Sequence, residues 1–361
     1  MSQITGVSMD NLTGILNYSL TKYKDTDVLN ITQKYQTYYF VDEVFRQKKY
    51  DVQGGTSVTY HIVTDSKGNS RHINYLEAMD INIQDPSIQG SAPWAMIRGS
   101  IEWNRIAMMA NKGDDVKILD YMKVQRFRGK AGQINEIEAK APLAPESATD
   151  TRNPRGLGYW LGWLPSGTTD YTGGFNGTTC FYGDGATTTT IGGISRTANP
   201  ETCNWVANHN GINPQTFDTM QKALNDTGFV RPRDLAEFES DRNKLRKILM
   251  SLDQKTQYDQ IRNKLSNGGR NGDVNPYGST KAEFGGIEVV GLPTLNGVSY
   301  DPIYIVDFTH FYPILHSNWF LHTDPVTQKP LVPDIFFSWL TTWYNYCCDN
   351  PRTQAVLHKV R

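Results

Sequence analysis

Three of the chain's seven histidines fall at an even six-residue spacing in "IYIVDFTHFYPILHSNWFLH", residues 303–322: His310, His316 and His322. Imidazoles in a row are raw material for a zinc site, and Asp307 beside His310 offers the acid of a nucleophilic triad. Zinc holds nitrogen at about 2.0–2.1 Å, so its ligands must converge on one point. Along a strand rising about 3.3 Å per residue these histidines stand roughly 20 Å apart. On a helix they would point about 240° apart. A bend at Pro313 could rescue one pair at most. The triad fares no better, because the chain has no G-x-S-x-G elbow and no cysteine in a nucleophile setting. "DVNPYG" (Asp273, Asn275, Gly278) opens like a calcium loop. However, Tyr277 sits at position five and Phe284 at position twelve, where a bidentate Glu is required, and Glu283 misses by one. "NKGDD" and "FRGKAG" lack phosphate-loop spacing, and helix capping explains Asp114 and Asp115. The sequence therefore predicts no catalytic residue, no cofactor and no metal, and the histidine stretch reads as a strand.

Composition narrows the remaining classes. The 361 residues suffice for two or three domains with a generous core. With 36 basic against 37 acidic residues, the chain lacks the basic excess of a sequence-specific nucleic-acid binder. No apolar run approaches the ~20 residues of a membrane span, and the first twenty residues lack the pattern of a secretory signal. Cys180, Cys203, Cys347 and Cys348 read as free thiols of a reducing compartment; the adjacent pair is poorly placed to bridge, since a disulfide prefers Cα atoms about 5.5 Å apart. The aromatic load of 19 Tyr, 14 Phe and 8 Trp, with 31 Gly, points to strands and large contact surfaces.

The pattern along the chain orders the elements. Residues 1 to about 50 read as an extended arm with a weak helical pattern around Val41 to Phe45. "QGGTSVTYHIVTDSKGNSRHINYL" alternates through Val58, Tyr60 and Ile62, turns at 65–69, continues through Ile73 and Tyr75, and returns as "APWAMIRGSIEW" at 92–103. An isolated two-stranded hairpin is marginal at best, so this one must lie on something; without a covering helix of its own, the support is another molecule. Ile106 and Met109 mark a short turn ending at 111–113. A long helix capped by Asp114 follows, its apolar stripe running Val116, Leu119, Met122, Phe127, Ala131, Ile134, Ile137. Gly129 and Gly132 each cost about 1 kcal/mol against Ala and are expected to bend or break it. Residues 142–212 are loops and short strands. A second helix begins at Asn213-Pro214 and buries Phe217, Met220 and Leu224; "RPRDLAEFE" suggests a short strand, and Ser240 or Asp241 opens a third helix through Leu245, Ile248, Leu249 and Leu252. The tail from Asp334 alternates as a strand with bulky residues on both faces.

Four stretches in this order resemble one family. "SIEWNRIAMMANKGDDVKILDYMKVQ" (100–125) resembles its short helix, Asn-x-Gly break and spine helix. "IGGISRTANPETCNW" (191–205) resembles a Gly-Gly-Ile-x-Arg stretch followed by tryptophan. "GGIEVVGLPTLNGVSYDPIYIVDFTHFYPI" (285–314) resembles paired strands, and "CCDNPRTQAVL" (347–357) a closing Cys-x-Asn-x-Arg-x-Gln-x-Val-Leu. The chain is similar to the major capsid proteins of tailed double-stranded DNA bacteriophages, with the Hong Kong 97 fold.

The resemblance implies an α+β fold with a 1–50 N-terminal arm and a 51–100 E-loop hairpin. The peripheral domain would comprise 101–150 and 301–361, with the spine helix and long strands, and the axial domain 151–300. It implies a non-enzymatic structural protein that assembles with itself into pentamers and hexamers of an icosahedral head in the host cytoplasm. A separate scaffolding protein, a portal protein, a possible decoration protein and packaged DNA would be its partners, with no membrane. Inter-subunit contacts are expected from the hairpin residues Tyr60, Lys67, Asn69, Arg71, Tyr75 and Trp94. Lys67 occupies the place where some members carry a crosslinking lysine, although a plain turn lysine is the simpler reading. Arg126, Arg128 and Lys130 would approach DNA from the inner face, and a solvated helix face explains them as well. Near-zero net charge suits a wall that must not trap packed DNA. The rival reading is a carbohydrate- or surface-binding β-rich protein using the aromatic, Thr/Gly-rich block at 158–190.

Overall fold

The computed structural model describes residues 38–45, 50–52, 57–63, 87–106, 115–165, 173–229, 245–267, 282–328 and 334–359, with Gly55, His72, Asn74, Gly167 and Thr168. Its principal elements, in chain order, are strands β1 (Ser57–Val63), β2 (Ser87–Pro93) and β3 (Ala95–Asn104), then helix α1 (Asp115–Lys140). Strands β4 (Gly174–Gly177) and β5 (Asn204–Asn208) precede helix α2 (Pro214–Asp226), strand β6 (Arg246–Ser251) and helix α3 (Leu252–Asn267). Strands β7 (Glu283–Phe284), β8 (Ile287–Leu292), β9 (Ile303–Asp307), β10 (Phe311–His316), β11 (Ile335–Cys348) and β12 (Ala355–His358) complete the chain.

The chain divides into two compact units. One contains Met96–Ile137 and His316–Trp343. In it β3 pairs with β11, burying Ile101, Trp103 and Leu340. Helix α1 lies on this sheet through Gly129, where an added Cβ would stand 2.9 Å from Ile101 Cγ1. Gln133, one turn on, is 3% exposed. Its amide donates to Leu340 O at 2.6 Å and its carbonyl accepts from Thr342 Oγ1 at 2.7 Å. These bonds satisfy a polar side chain that would otherwise be costly to bury. The packed face is thus Gly129, Gln133 and Ile137 at four-residue steps. Two expectations change here. The helix runs unbroken through both glycines, because Gly129 is the point of closest approach rather than a fault. Phe127, assigned to the apolar stripe, is 46% exposed.

The other unit contains Thr37–Ala95, Glu138–Leu315 and Tyr344–Arg361. Its centre is a seven-stranded sheet in the order β7-β8-β6-β9-β12-β5-β4. The pairs β6/β8 and β5/β12 are parallel and β6/β9 and β9/β12 antiparallel. Helices α2 and α3 contribute Met220, Ala223, Leu224 and Tyr258 to a core with Trp205, Ile248, Met250, Ile303, Ile305 and Leu357. As the Asn-Pro pair predicts, Asn213 caps α2, its Oδ1 accepting from Thr216 N at 2.8 Å. A second pairing set joins β10 to the last residues of β11, Phe311 opposite Cys348 through Leu315 opposite Tyr344.

The region from Arg246 to Ser251 is a strand, not the expected third helix, which begins only at Leu252. Ile248, Leu249 and Met250 are fully buried on consecutive positions, the signature of a central strand covered on both faces; a short apolar run does not separate this from a helix by period alone. The hairpin also differs: β1 pairs with β2, Ser57 opposite Pro93 through Val63 opposite Ser87, while 95–104 pairs elsewhere. Likewise the histidine stretch is two strands. β9 belongs to the seven-stranded sheet and β10 to the pairing with β11, with His310 in the turn between them. Consequently β9 and β12, expected in the peripheral domain, lie in the sheet that carries most of the 151–300 block. The expected strand at 231–239, the turn at 107–113 and the Asp114 cap lie outside the described residues.

Candidate assembly surfaces

The hairpin root is built on glycines. Tyr60 stands opposite Gly90, and a Cβ at Gly90 would fall 2.2 Å from Tyr60 Cζ, so the ring lies flat across the neighbouring strand. From there its edge meets Trp160 with centroids 5.8 Å apart, and its hydroxyl donates to Gly192 O at 3.4 Å. Gly192, at φ +61°, also accepts from Ser91 N at 2.8 Å. Arg155 Nη1 donates to Ser91 O at 3.3 Å. Burial pushes the Tyr60 phenol well above its usual range, so the ring stays neutral. Trp94 Nε1 donates to Gly55 O at 2.9 Å. The root therefore rests on its own chain, and Tyr60, one of the residues expected at subunit contacts, makes an intrachain contact. Lys67, Asn69, Arg71 and Tyr75 lie outside the described residues.

Beneath the root sits a buried cation that sequence reasoning passed over. Arg196 is 2% exposed. Its Nη1 donates to Gly177 O at 2.9 Å and Asn204 Oδ1 at 2.6 Å, and its Nη2 to Trp160 O at 2.7 Å. Burial lowers its pKa, and the rigid fork of donors ties the end of β4, the start of β5 and the Trp160 turn together. The signal was present in "GGISR": an Arg directly after a Gly-Gly turn in an otherwise uncharged stretch. Glu138 was also missed. A carboxylate flanked by Ile134 and Ile137 on an apolar stripe is the mark it left.

Exposed groups gather in the first unit. On α1, Arg126, Arg128 and Lys130 are exposed beside Phe127. Residues 121–135 hold Lys123, Arg126, Arg128 and Lys130 and no acid. On the sheet, Met96 is 50% and Trp339 36% exposed, with the Arg98 guanidinium 4.4 Å above the Trp339 ring.

The histidines do not converge. His310 Nδ1 lies 2.8 Å from Asp349 Oδ1, His316 packs edge-on to Trp343, and His322 is exposed beside Trp319. Among the described residues no group of three or more His, Cys, Asp or Glu could hold a metal ion. All four cysteines are buried and none is in a disulfide, and burial pushes Cys347 up to about 12. Among the described rings of the 158–190 block, Tyr159, Trp160 and Trp163 are at most 3% exposed. An open groove of about 500 Å³ is lined by Pro165, Thr179, Phe181 and Thr187–Thr189. No described helix is long and apolar enough to cross a membrane.

No family model and no curated protein matches the sequence. Solved structures do match in fold. The chain is similar to the cyanophage A-1(L) capsid asymmetric unit, with a TM-score of 0.59 and 13% identity over 95% of this chain and 99% of that one. It is also similar to the capsid of a native GTA particle, at TM-score 0.56 and 12% identity over 93% and 95% of the two chains. A third match is the capsid of Myoviridae phage XM1, at 0.52 and 14% over 94% and 98%. The chain has the α+β, Hong Kong 97-like fold of these capsid proteins.

Proposed function

We propose that this chain is the major capsid protein of a tailed phage, assembling with itself into the pentamers and hexamers of an icosahedral head around double-stranded DNA. The observation that carries this reading is coverage. More than nine-tenths of the chain, and of each capsid chain it is similar to, fall within one shared fold. The parts then acquire roles. The unit with α1 and β3 is the peripheral domain with its spine, and the seven-stranded sheet is the axial domain whose loops surround the rotational axes. The β1–β2 hairpin carries the E-loop outward from a root fixed on its own subunit. Lys67, Asn69, Arg71 and Tyr75, beyond that root, reach a neighbouring copy. Heterologous contacts of this kind close into rings when the rotation closes, and each can be modest because every subunit makes several at once.

Arg126, Arg128 and Lys130, in the acid-free stretch of α1, meet packaged phosphates from the inner side of the wall without sequence preference. A separate scaffolding protein guides assembly and a portal occupies one vertex, and the outer surface is open to a decoration protein. The test is expression of the full chain, with and without a co-expressed scaffold, followed by electron microscopy. Ring-shaped capsomers or closed shells are expected. Monodisperse single chains at high concentration in both conditions overturn the reading.

A further inference from the structure

The arm enters the described structure at Tyr38 and winds into a short π-helical turn, Phe40–Val44, closed by Phe45 N–H donating to Phe40 O. Its opening amides converge on one side chain from the last turn of α1. Phe40 N–H reaches both oxygens of Glu138, at 3.2 and 3.0 Å, and Val41 N–H reaches Oε2 at 3.1 Å. Glu138 is 1% exposed and Phe40 fully buried. The Phe40 and Phe45 rings meet the Tyr346 ring edge-on at 6.4 and 6.1 Å. A carboxylate far off in sequence thus does the work of a helix cap for the arm, and the arm in turn seals that carboxylate from water.

The site is balanced between opposing influences. The amides of the arm favour the anion. Dehydration disfavours it, as does the negative pole of α1, on whose last turn Glu138 sits. Of the titratable groups facing it, Asp42 from the arm repels it, and the Tyr346 phenol from β11 couples to it while staying neutral. We propose that Glu138 is a proton-coupled latch for the N-terminal arm, which docks most tightly when the carboxyl is protonated and is held more weakly once it ionises. Burial outweighs the amide bonds and raises the docked carboxyl to about 7. An undocked arm would return it to water and to the ordinary range near 4.5.

Docking therefore takes up a proton between these values. Its equilibrium strengthens about tenfold for each pH unit on falling from about 7 toward about 4.5 and is flat outside that window. The latch belongs to the single chain, so it goes beyond the shell reading and its failure leaves that reading untouched.

The test is amide exchange of the full-length, unassembled protein between pH 5 and 8.5, corrected for intrinsic rates, following 38–45 with 355–358 of β12 as internal control. Wild-type protection at 38–45 is expected to fall on raising pH, by up to roughly a hundredfold. Glu138→Gln, neutral and still able to accept the amides, is expected to keep the arm protected with no pH slope. Glu138→Ala is expected to lose protection at 38–45 at every pH while β12 stays protected. A flat wild-type profile, or a slope that survives in Glu138→Gln, overturns the latch. So does an alanine variant with a wild-type arm. If alanine also unprotects β12, the glutamine slope alone decides.

Discussion

At the hairpin root, Tyr60 lays an uncharged ring over Gly90 and against Trp160. At the arm, Phe40 and Val41 hang their amides on the carboxylate of Glu138. Both attachments join an extended segment to the same compact unit, and both bury an aromatic ring. They differ in what a proton can do to them. The root's anchor is a phenol held well above its usual range and bonded to a backbone carbonyl, so that contact does not depend on an ionised side chain. The arm uses a carboxyl raised to about 7. The polarity of a single anchor is enough to make one attachment proton-sensitive and leave the other fixed.

The largest expected effect comes from removing the floor beneath the root. Arg196→Met deletes the donors to Gly177 O, Trp160 O and Asn204 Oδ1. The last keeps its bond from Gly162 N–H, so two buried carbonyls lose a donor at about 1–3 kcal/mol each, and with relief of the buried charge the net loss is about 3 kcal/mol. Denaturant unfolding measures it. Loss of protection should be shared by 174–208, which the guanidinium bonds directly, and by 57–63 and 87–93, which rest through Tyr60 on the Trp160 it fixes. An unfolding midpoint unchanged from wild type would mean the loops are held by other contacts.

A smaller effect separates the root from the arm. In Gly90→Val the new side chain must displace the Tyr60 ring, an overpacking cost of about 1–3 kcal/mol. Protection should fall across β1 and β2 while 38–45 keeps its wild-type value and pH slope. If both segments loosen together, the two anchors are one cooperative element and the contrast drawn above is broken.

These sites were unevenly legible in the sequence. Helix α2 announced itself through a cap followed by proline, because that signal is local. The strand Arg246–Ser251 was misread because its neighbours in the sheet, β8 and β9, come from 40 to 60 residues further on and supply the burial that makes a non-periodic apolar run a strand. Phe127 was assigned inward from spacing alone. The true face passes through Gly129, whose missing side chain admits Ile101, and through Gln133, a polar residue whose burial depends on Leu340 and Thr342. The hairpin was recognised, yet its support was sought in another molecule because nothing in 51–100 reveals that Gly192 and Trp160 fold beneath it. Arg196, a lone charge in an uncharged stretch, and Glu138, a carboxylate next to Ile137 on the apolar stripe, each left a mark whose meaning appears only with its distant partners.

The finest expected effect tests whether the root depends on shape or on its hydroxyl. Tyr60→Phe keeps the ring over Gly90 and against Trp160 and removes only the bond to Gly192 O, which at 3.4 Å is long. The carbonyl keeps its bond from Ser91 N, so no acceptor is orphaned and the loss should stay below about 1 kcal/mol. Tyr60→Ala removes the ring and uncovers Gly90 and Trp160, at a cost of about 3 kcal/mol. Amide exchange of 87–93 in the two variants, at pH 5.5 and 7.5, reads both quantities. A phenylalanine variant as loose as alanine would make the hydroxyl the anchor. A pH slope in either would show that the root too responds to protons, and the division into a fixed and a proton-sensitive attachment would fail.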